Sequence, residues 1–148
     1  MRTVTFYTHV HNRLSFVFKL VKTVYDKGEP LLVWLPDDAM LQQLDHQLWS
    51  LVPESFLPHE LVAAVIEAGQ AEFAPILLGA EQALPDRADL PTVILNLSEA
   101  YVHEVVHYQR VLEIVGPDED DLAAARDRFK AYREAGFTIE HHNMGHMR

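Results

Sequence analysis

His103, Glu104 and His107 belong to a His-Glu-Val-Val-His segment with the spacing of a zinc peptidase motif. In such enzymes the two histidines share a helix face and ligate the metal, and the glutamate acts as the base. Here the flanking residues are β-branched and aromatic, which favours a strand and would separate the imidazoles. No third ligand follows at a recognisable spacing. We interpret the match at 103–107 as accidental, predict no metal site, and keep a zinc hydrolase as the weaker alternative.

Nucleotide chemistry would require glycines that let the backbone approach phosphate groups. The turn after the first predicted strand, at 7–14, reads Tyr-Thr-His-Val-His-Asn-Arg-Leu and contains no glycine. The chain also lacks a Gly-x-x-x-x-Gly-Lys-Ser/Thr motif. Asp37 and Asp38 could form an acid–base pair, but capping of the following helix explains them better. The sequence therefore predicts no cofactor and no catalytic residues, and a small α/β nucleotide-dependent enzyme stays as an alternative function.

A cluster of positive charge stands out because the chain as a whole is acidic, with 12 Lys and Arg against 22 Asp and Glu. Four of the 12 positive residues fall within 126–133, namely Arg126, Arg128, Lys130 and Arg133. On a helix, Arg126, Lys130 and Arg133 share one face. Phe129 and Tyr132 lie beside them, either packed on a sheet or lining a pocket. A basic rim around an apolar pocket would suit an acidic peptide with a hydrophobic anchor, whereas the net charge of -10 disfavours general binding to DNA.

The elements that must position this cluster alternate between strand and helix along the chain. Apolar residues recur at three- and four-residue spacing between Arg13 and Lys27, which predicts a helix ending near Gly28. A continuously apolar run at Leu31–Leu35 predicts a strand buried on both faces. The last helix is predicted over 117–134, with acids at its start and bases at its end, as the helix dipole favours. Further strands are predicted at 3–8, 74–78, 92–97, 110–115 and 137–139, and a second helix at 37–49.

This order predicts an α/β fold with a mainly parallel sheet, flanking helices and a nucleotide-binding-like topology without the phosphate-binding glycine loop. At 148 residues the chain is expected to form a single domain over 1–140, with a flexible tail at 141–148. It contains no cysteine, no signal-peptide pattern at its start and no apolar stretch long enough for a membrane span. We therefore expect a cytoplasmic protein without membrane contact.

Two segments resemble a known family. Residues 129–137, Phe-Lys-Ala-Tyr-Arg-Glu-Ala-Gly-Phe, are similar to the C-terminal signature of the chi subunit of bacterial DNA polymerase III. Residues 44–59, Leu-Asp-His-Gln-Leu-Trp-Ser-Leu-Val-Pro-Glu-Ser-Phe-Leu-Pro-His, resemble its central motif. The resemblance implies a non-catalytic accessory subunit of the clamp-loader assembly. Such a subunit binds the acidic, Phe-terminated tail of single-stranded DNA-binding protein, pairs in some bacteria with a psi subunit, and meets DNA only indirectly.

The resemblance also implies which residues hold that tail. Arg126 and Lys130 would pair with its carboxylates, and Phe56, Val115 and Phe129 would line the pocket for its terminal aromatic ring. The other two arginines of the cluster are secondary candidates. The full implied set is Arg126, Lys130, Phe129, Phe56, Val115, Arg128 and Arg133.

One position departs from the family pattern. Leu122 stands one helical turn before Arg126, where a relative carries a lysine. The departure removes one cation from the expected set.

Overall fold

The structure, a computed structural model, describes residues 2–50, 59–62, 65, 74–80, 91–98 and 108–145 of the chain. Seven strands form one sheet in the order β3-β4-β2-β5-β6-β1-β7, and every pairing in it is parallel. The strands are β1 Thr3–Thr8, β2 Leu31–Leu35, β3 His59–Leu61, β4 Ile76–Ala80, β5 Val93–Asn96, β6 Arg110–Ile114 and β7 Thr138–Asn143. The helices in the described residues are α1 Arg13–Asp26, α2 Asp38–Ser50 and α3 Glu119–Glu134. The predicted α/β fold is confirmed.

Local sequence signals set the bounds of α1. The Asn12 side chain accepts a hydrogen bond from the Ser15 amide at 3.1 Å, which satisfies one of the free amides of the first turn. The chain leaves the helix through Gly28, whose φ of 78° is available to glycine without strain. None of the helices in the described residues is long and apolar enough to cross a membrane.

Side-chain alternation along the strands divides the core into two layers. Leu31 and Val33 of β2 face the layer that α1 and α2 cover, whereas Leu32 faces the other layer. On that second side, Tyr132 of α3 packs with Phe6 of β1. The helix that carries the predicted cation cluster therefore lies alone, among the described helices, over the β6-β1-β7 end of the sheet.

Most boundaries agree with the sequence predictions to within two residues, and the larger differences are in the strands. The strand expected at 74–78 begins two residues later, and the short strand β3 lies where no regular element was expected. Strand β7 continues past the expected end at 139 because its backbone pairs with β1 as far as Asn143. Residues 141–143, expected in a flexible tail, are thus part of the sheet. The predicted tail residues 146–148 and the segment 103–107 lie outside the described residues.

Candidate functional site

A cavity of about 270 Å³ opens between α3 and the β1-β7 edge of the sheet. The helix provides one wall and the two strands provide the other. Its lining residues are Phe6, Thr8, His9, Leu122, Ala125, Arg126, Phe129, Ile139 and His141. Of the six proposed residues that the structure describes, Arg126 and Phe129 line this cavity.

The floor of the cavity is apolar and aromatic. Phe6 of β1 and Phe129 of α3 meet with ring centroids 6.0 Å apart, and Tyr132 approaches Phe6 from behind at 6.1 Å. Ala125 and Leu122 lie one and two turns before Phe129 on the same helix face. Phe129 is only partly buried. An open apolar surface of this kind can accept one large hydrophobic side chain.

The basic residues of α3 divide by exposure. Arg126 is exposed at the cavity, and its guanidinium makes no ion pair with any part of the chain that the structure describes. Lys130 and Arg133 are exposed on the following turns but do not line the cavity. At about 1.5 Å rise per residue, they continue the positive surface for about 10 Å beyond Arg126.

Arg128, by contrast, points into the core. Its Nε donates to Oε1 of Glu113 at 3.1 Å, and only 7% of Arg128 is exposed. Glu113, itself fully buried, also accepts from the Tyr132 hydroxyl at 2.6 Å and from the Asn96 amide at 3.0 Å. Burial raises the pKa of the Glu113 carboxyl, and the charge of Arg128 opposes that rise. Arg128 therefore anchors α3 to β6 and does not contribute a cation to the surface.

Two other proposed residues are placed differently from Arg126. Val115 is buried and does not line the cavity; its amide donates to the Tyr7 carbonyl at 2.8 Å and its carbonyl accepts from the Val10 amide at 3.1 Å. It thereby fixes the chain that leaves β1. Phe56 lies outside the described residues.

The cavity also has a polar end that sequence reasoning missed. The Thr8 hydroxyl lies 2.7 Å from Nε2 of His141 and 3.1 Å from Nδ1 of His9. His9 adopts a φ of 58° in the turn after β1. Period-two alternation placed Thr8 on the same strand face as Phe6, but His141 joins them only because β7 pairs with β1.

Metal binding finds no support in the described residues, which contain no group of three or more His, Cys, Asp or Glu side chains arranged to hold an ion. The arrangement instead offers an apolar cavity, one exposed guanidinium and a histidine-threonine cluster. These groups can bind a hydrophobic side chain together with negative charge.

The fold and this cavity define a small parallel α/β protein with an apolar cavity under α3. A family model described as "DNA polymerase III chi subunit, HolC" matches residues 1–140. The chain belongs to the DNA polymerase III chi subunit family.

Relatives from three bacteria carry the name DNA polymerase III subunit chi. The Pseudomonas aeruginosa protein is 30% identical over 132 residues, which cover 89% of this chain and 87% of the relative. The Escherichia coli protein is 30% identical over 150 aligned residues, covering 94% and 96%. The Haemophilus influenzae protein is 21% identical over 126 residues, covering 85% and 83%. The similarity thus extends over at least 83% of each relative.

Proposed function

We propose that this chain is a non-catalytic, cytoplasmic accessory subunit of the replicative clamp-loader assembly. We propose further that its cavity binds the acidic, Phe-terminated tail of single-stranded DNA-binding protein. The observation that carries the proposal is the pairing of an apolar cavity with an exposed arginine at its edge. A psi subunit could connect the chain to the rest of the assembly, as in some members of the family.

The size and lining of the cavity support a single aromatic side chain as its occupant. Its volume of about 270 Å³ lies at or below the lower end of small-molecule sites, which are roughly 300–1,000 Å³. Phe6 and Phe129 offer ring faces and edges, and offset or edge-on contacts between aromatic rings add about 0.5–1.5 kcal/mol beyond burial.

Charge supports an acidic peptide as the ligand in place of DNA. A net charge of -10 repels polyanions over most of the surface. Arg126, Lys130 and Arg133 form a local exception on α3, with spacing that can follow the acidic residues before the terminal ring. The protein would then reach DNA only through its partner.

Titration of a labelled acidic peptide ending in Phe tests the proposal. Arg126→Ala removes the exposed guanidinium and is expected to weaken binding by about 1–3 kcal/mol, the range for a charge-assisted contact. Lys19→Ala is the matched control, because it deletes one exposed cation from α1 on the opposite side of the sheet. Equal affinities for the Arg126 and Lys19 variants would rule out Arg126 as a contact.

Two further binding measurements separate the contribution of charge to peptide affinity from that of the apolar cavity. Raising the salt concentration from about 50 mM to about 300 mM should weaken binding, because exposed charges are screened over a shorter distance. A peptide without the terminal Phe should bind poorly even at low salt, since it leaves the cavity empty. A wild-type protein that binds neither peptide would refute the proposed function.

A further inference from the structure

The Thr8 hydroxyl contacts two imidazole rings but has only one proton to donate. It lies within hydrogen-bond distance of Nε2 of His141 and Nδ1 of His9. At most one ring can therefore accept from Thr8, so at least one ring must donate its own N–H to the hydroxyl oxygen. In a neutral imidazole the other nitrogen is then an acceptor without a proton. That nitrogen becomes a donor only when the ring is protonated.

The backbone holds His9 in this position at a conformational cost. Among the described residues, His9 is the only non-glycine residue with a positive φ, which costs a side-chain-bearing residue free energy. The strands around it fix the turn, because the Val10 amide donates to the Val115 carbonyl at 3.1 Å and the Met144 amide donates to the Thr8 carbonyl at 2.9 Å. Gly145 lies beside His9, since a Cβ added at Gly145 would lie 3.4 Å from the His9 Cβ. Retained strain of this kind is typical of ligand-binding positions.

The remaining nitrogens, Nδ1 of His141 and Nε2 of His9, make no hydrogen bond within the described part of the chain. Both rings line the cavity. The cavity thus has a guanidinium on its helix wall and two half-satisfied imidazoles on its strand wall. Such nitrogens are available to a ligand that enters between the walls.

We propose that His9, Thr8 and His141 receive the terminal carboxylate of the peptide, and that the peptide binds together with a proton taken up by an imidazole. The inference rests on the proposed function, in which the terminal ring fills the cavity. A C-terminal residue carries its side chain and its carboxylate on one carbon, so both must be received within one residue's reach. The carboxylate supplies the negative charge that favours a protonated imidazole beside it.

The other charged groups near His9, Thr8 and His141 are not placed to contact the terminal carboxylate in the same way. Among the described residues, Arg126 of α3 is the only other ionisable side chain lining the cavity. From β7 and β1, the Glu140, His142 and Tyr7 side chains lie on the opposite sheet face, with His142 stacked on Tyr7 at 5.6 Å. On β6, Glu113 is buried and paired with Arg128. The acids that begin α3 are Asp118, Glu119, Asp120 and Asp121, and they lie outside the cavity lining.

Peptide affinity measured as a function of pH tests the inference. Histidine is the residue type whose charge changes between about pH 5 and 8, while peptide carboxylates stay ionised over most of that interval. Uptake of one proton strengthens binding by at most about tenfold per pH unit, and only where the bound ring is protonated and the free ring is not. We therefore expect wild-type affinity to rise about tenfold in total from pH 8 to pH 5.5. Calorimetry in buffers of different ionisation enthalpy should register proton uptake at about pH 7.

The chain supplies conservative variants and a matched control. His141→Gln keeps a hydrogen-bonding side chain on β7, and His9→Asn suits the left-handed backbone. The double variant His9→Asn/His141→Gln should lose the pH dependence and the proton uptake. Near pH 8 its affinity for the peptide should be at most a few fold weaker than that of the wild-type protein. His142→Gln removes the neighbouring histidine on the opposite face and should retain both effects.

A peptide with an amidated C-terminus removes the proposed carboxylate from the ligand side. The amidated peptide should bind wild-type protein with an affinity that does not depend on pH. Its pH profile should then match that of the peptide with a free carboxylate binding to the double variant. The inference is overturned if the double variant or the amidated peptide keeps the wild-type pH response. Peptide binding that still depends on Arg126 would then leave the proposed function standing. Wild-type protein that binds neither peptide at any pH would overturn both the inference and the proposed function.

Discussion

Replacing Arg128 with alanine separates the roles of two arginines on one helix. In the folded protein Arg128 places its Nε 3.1 Å from a carboxylate that has no exposed surface, whereas Arg126 is exposed at the cavity. Arg128→Ala leaves the Glu113 charge buried without its cation. We expect a large loss of folding stability from this change, and none beyond about 0.5 kcal/mol from Arg126→Ala.

The magnitude follows from what remains around Glu113. Removing one partner of a buried ion pair costs about 3–5 kcal/mol, because the other charge stays uncompensated. Here the Tyr132 hydroxyl at 2.6 Å and the Asn96 amide at 3.0 Å still donate to the carboxylate. We therefore expect about 3 kcal/mol at neutral pH, at the lower end of the range.

The loss should depend on pH with a definite sign. Burial already raises the pKa of Glu113 above its ordinary value of 4.5, and Arg128 opposes that rise. Without Arg128 the pKa rises further. Glu113 of the variant then binds its proton more tightly in the folded than in the unfolded protein. As the pH rises from the unfolded to the folded pKa of Glu113, folding stability is therefore lost, and it recovers as the pH falls.

Urea denaturation followed by circular dichroism, at about pH 7 and about pH 5, measures both effects. Arg128→Ala should be closer to wild type at the lower pH. The double variant Arg128→Ala/Glu113→Gln should recover part of the loss at pH 7, because no buried charge remains. A loss below about 1 kcal/mol at pH 7, or one that grows on acidification, would refute the assignment of Arg128 to the core.

Two further substitutions test local features of the fold by urea denaturation. Asn12→Ala removes the side-chain cap of α1 and should cost about 0.5–2 kcal/mol, whereas Asn12→Ser should keep most of the stability. A Gly79→Ala Cβ would lie 2.9 Å from the Trp34 ring and 3.2 Å from Val62, so crowding should cost about 1–3 kcal/mol. Unchanged stability of either alanine variant would contradict its explanation.

Periodicity predicted most of the sheet because burial and strand pairing agree there. Leu31–Leu35 is apolar at every position, and the structure covers both of its faces. The end of β7 was missed because its residues, His141, His142 and Asn143, are polar and exposed. Backbone pairing with β1 holds these residues in the sheet, and no hydrophobic pattern reports such pairing.

The difference between local spacing and long-range pairing also explains which site residues the sequence predicted. Arg126 and Phe129 lie three residues apart on one helix, so spacing alone predicted them on adjoining parts of its surface. Arg128 was grouped with them by charge, although its spacing from Ala125 and Tyr132 matches the buried face. His9 and His141 meet only through the β1–β7 pairing, a long-range contact that no local pattern contains.

The position of β1 between β6 and β7 affects when the cavity can exist during synthesis. Thr3 pairs with Arg110 and Thr138, so the earliest strand must wait for the latest ones. At roughly 5–20 residues per second, a growing chain exposes the ring of Phe6 for several seconds before α3 and β7 can cover it. A chain released before residues 138–143 would lack the β7 part of the strand wall, including Ile139 and His141. The complete cavity therefore exists only once the chain has been synthesised through β7.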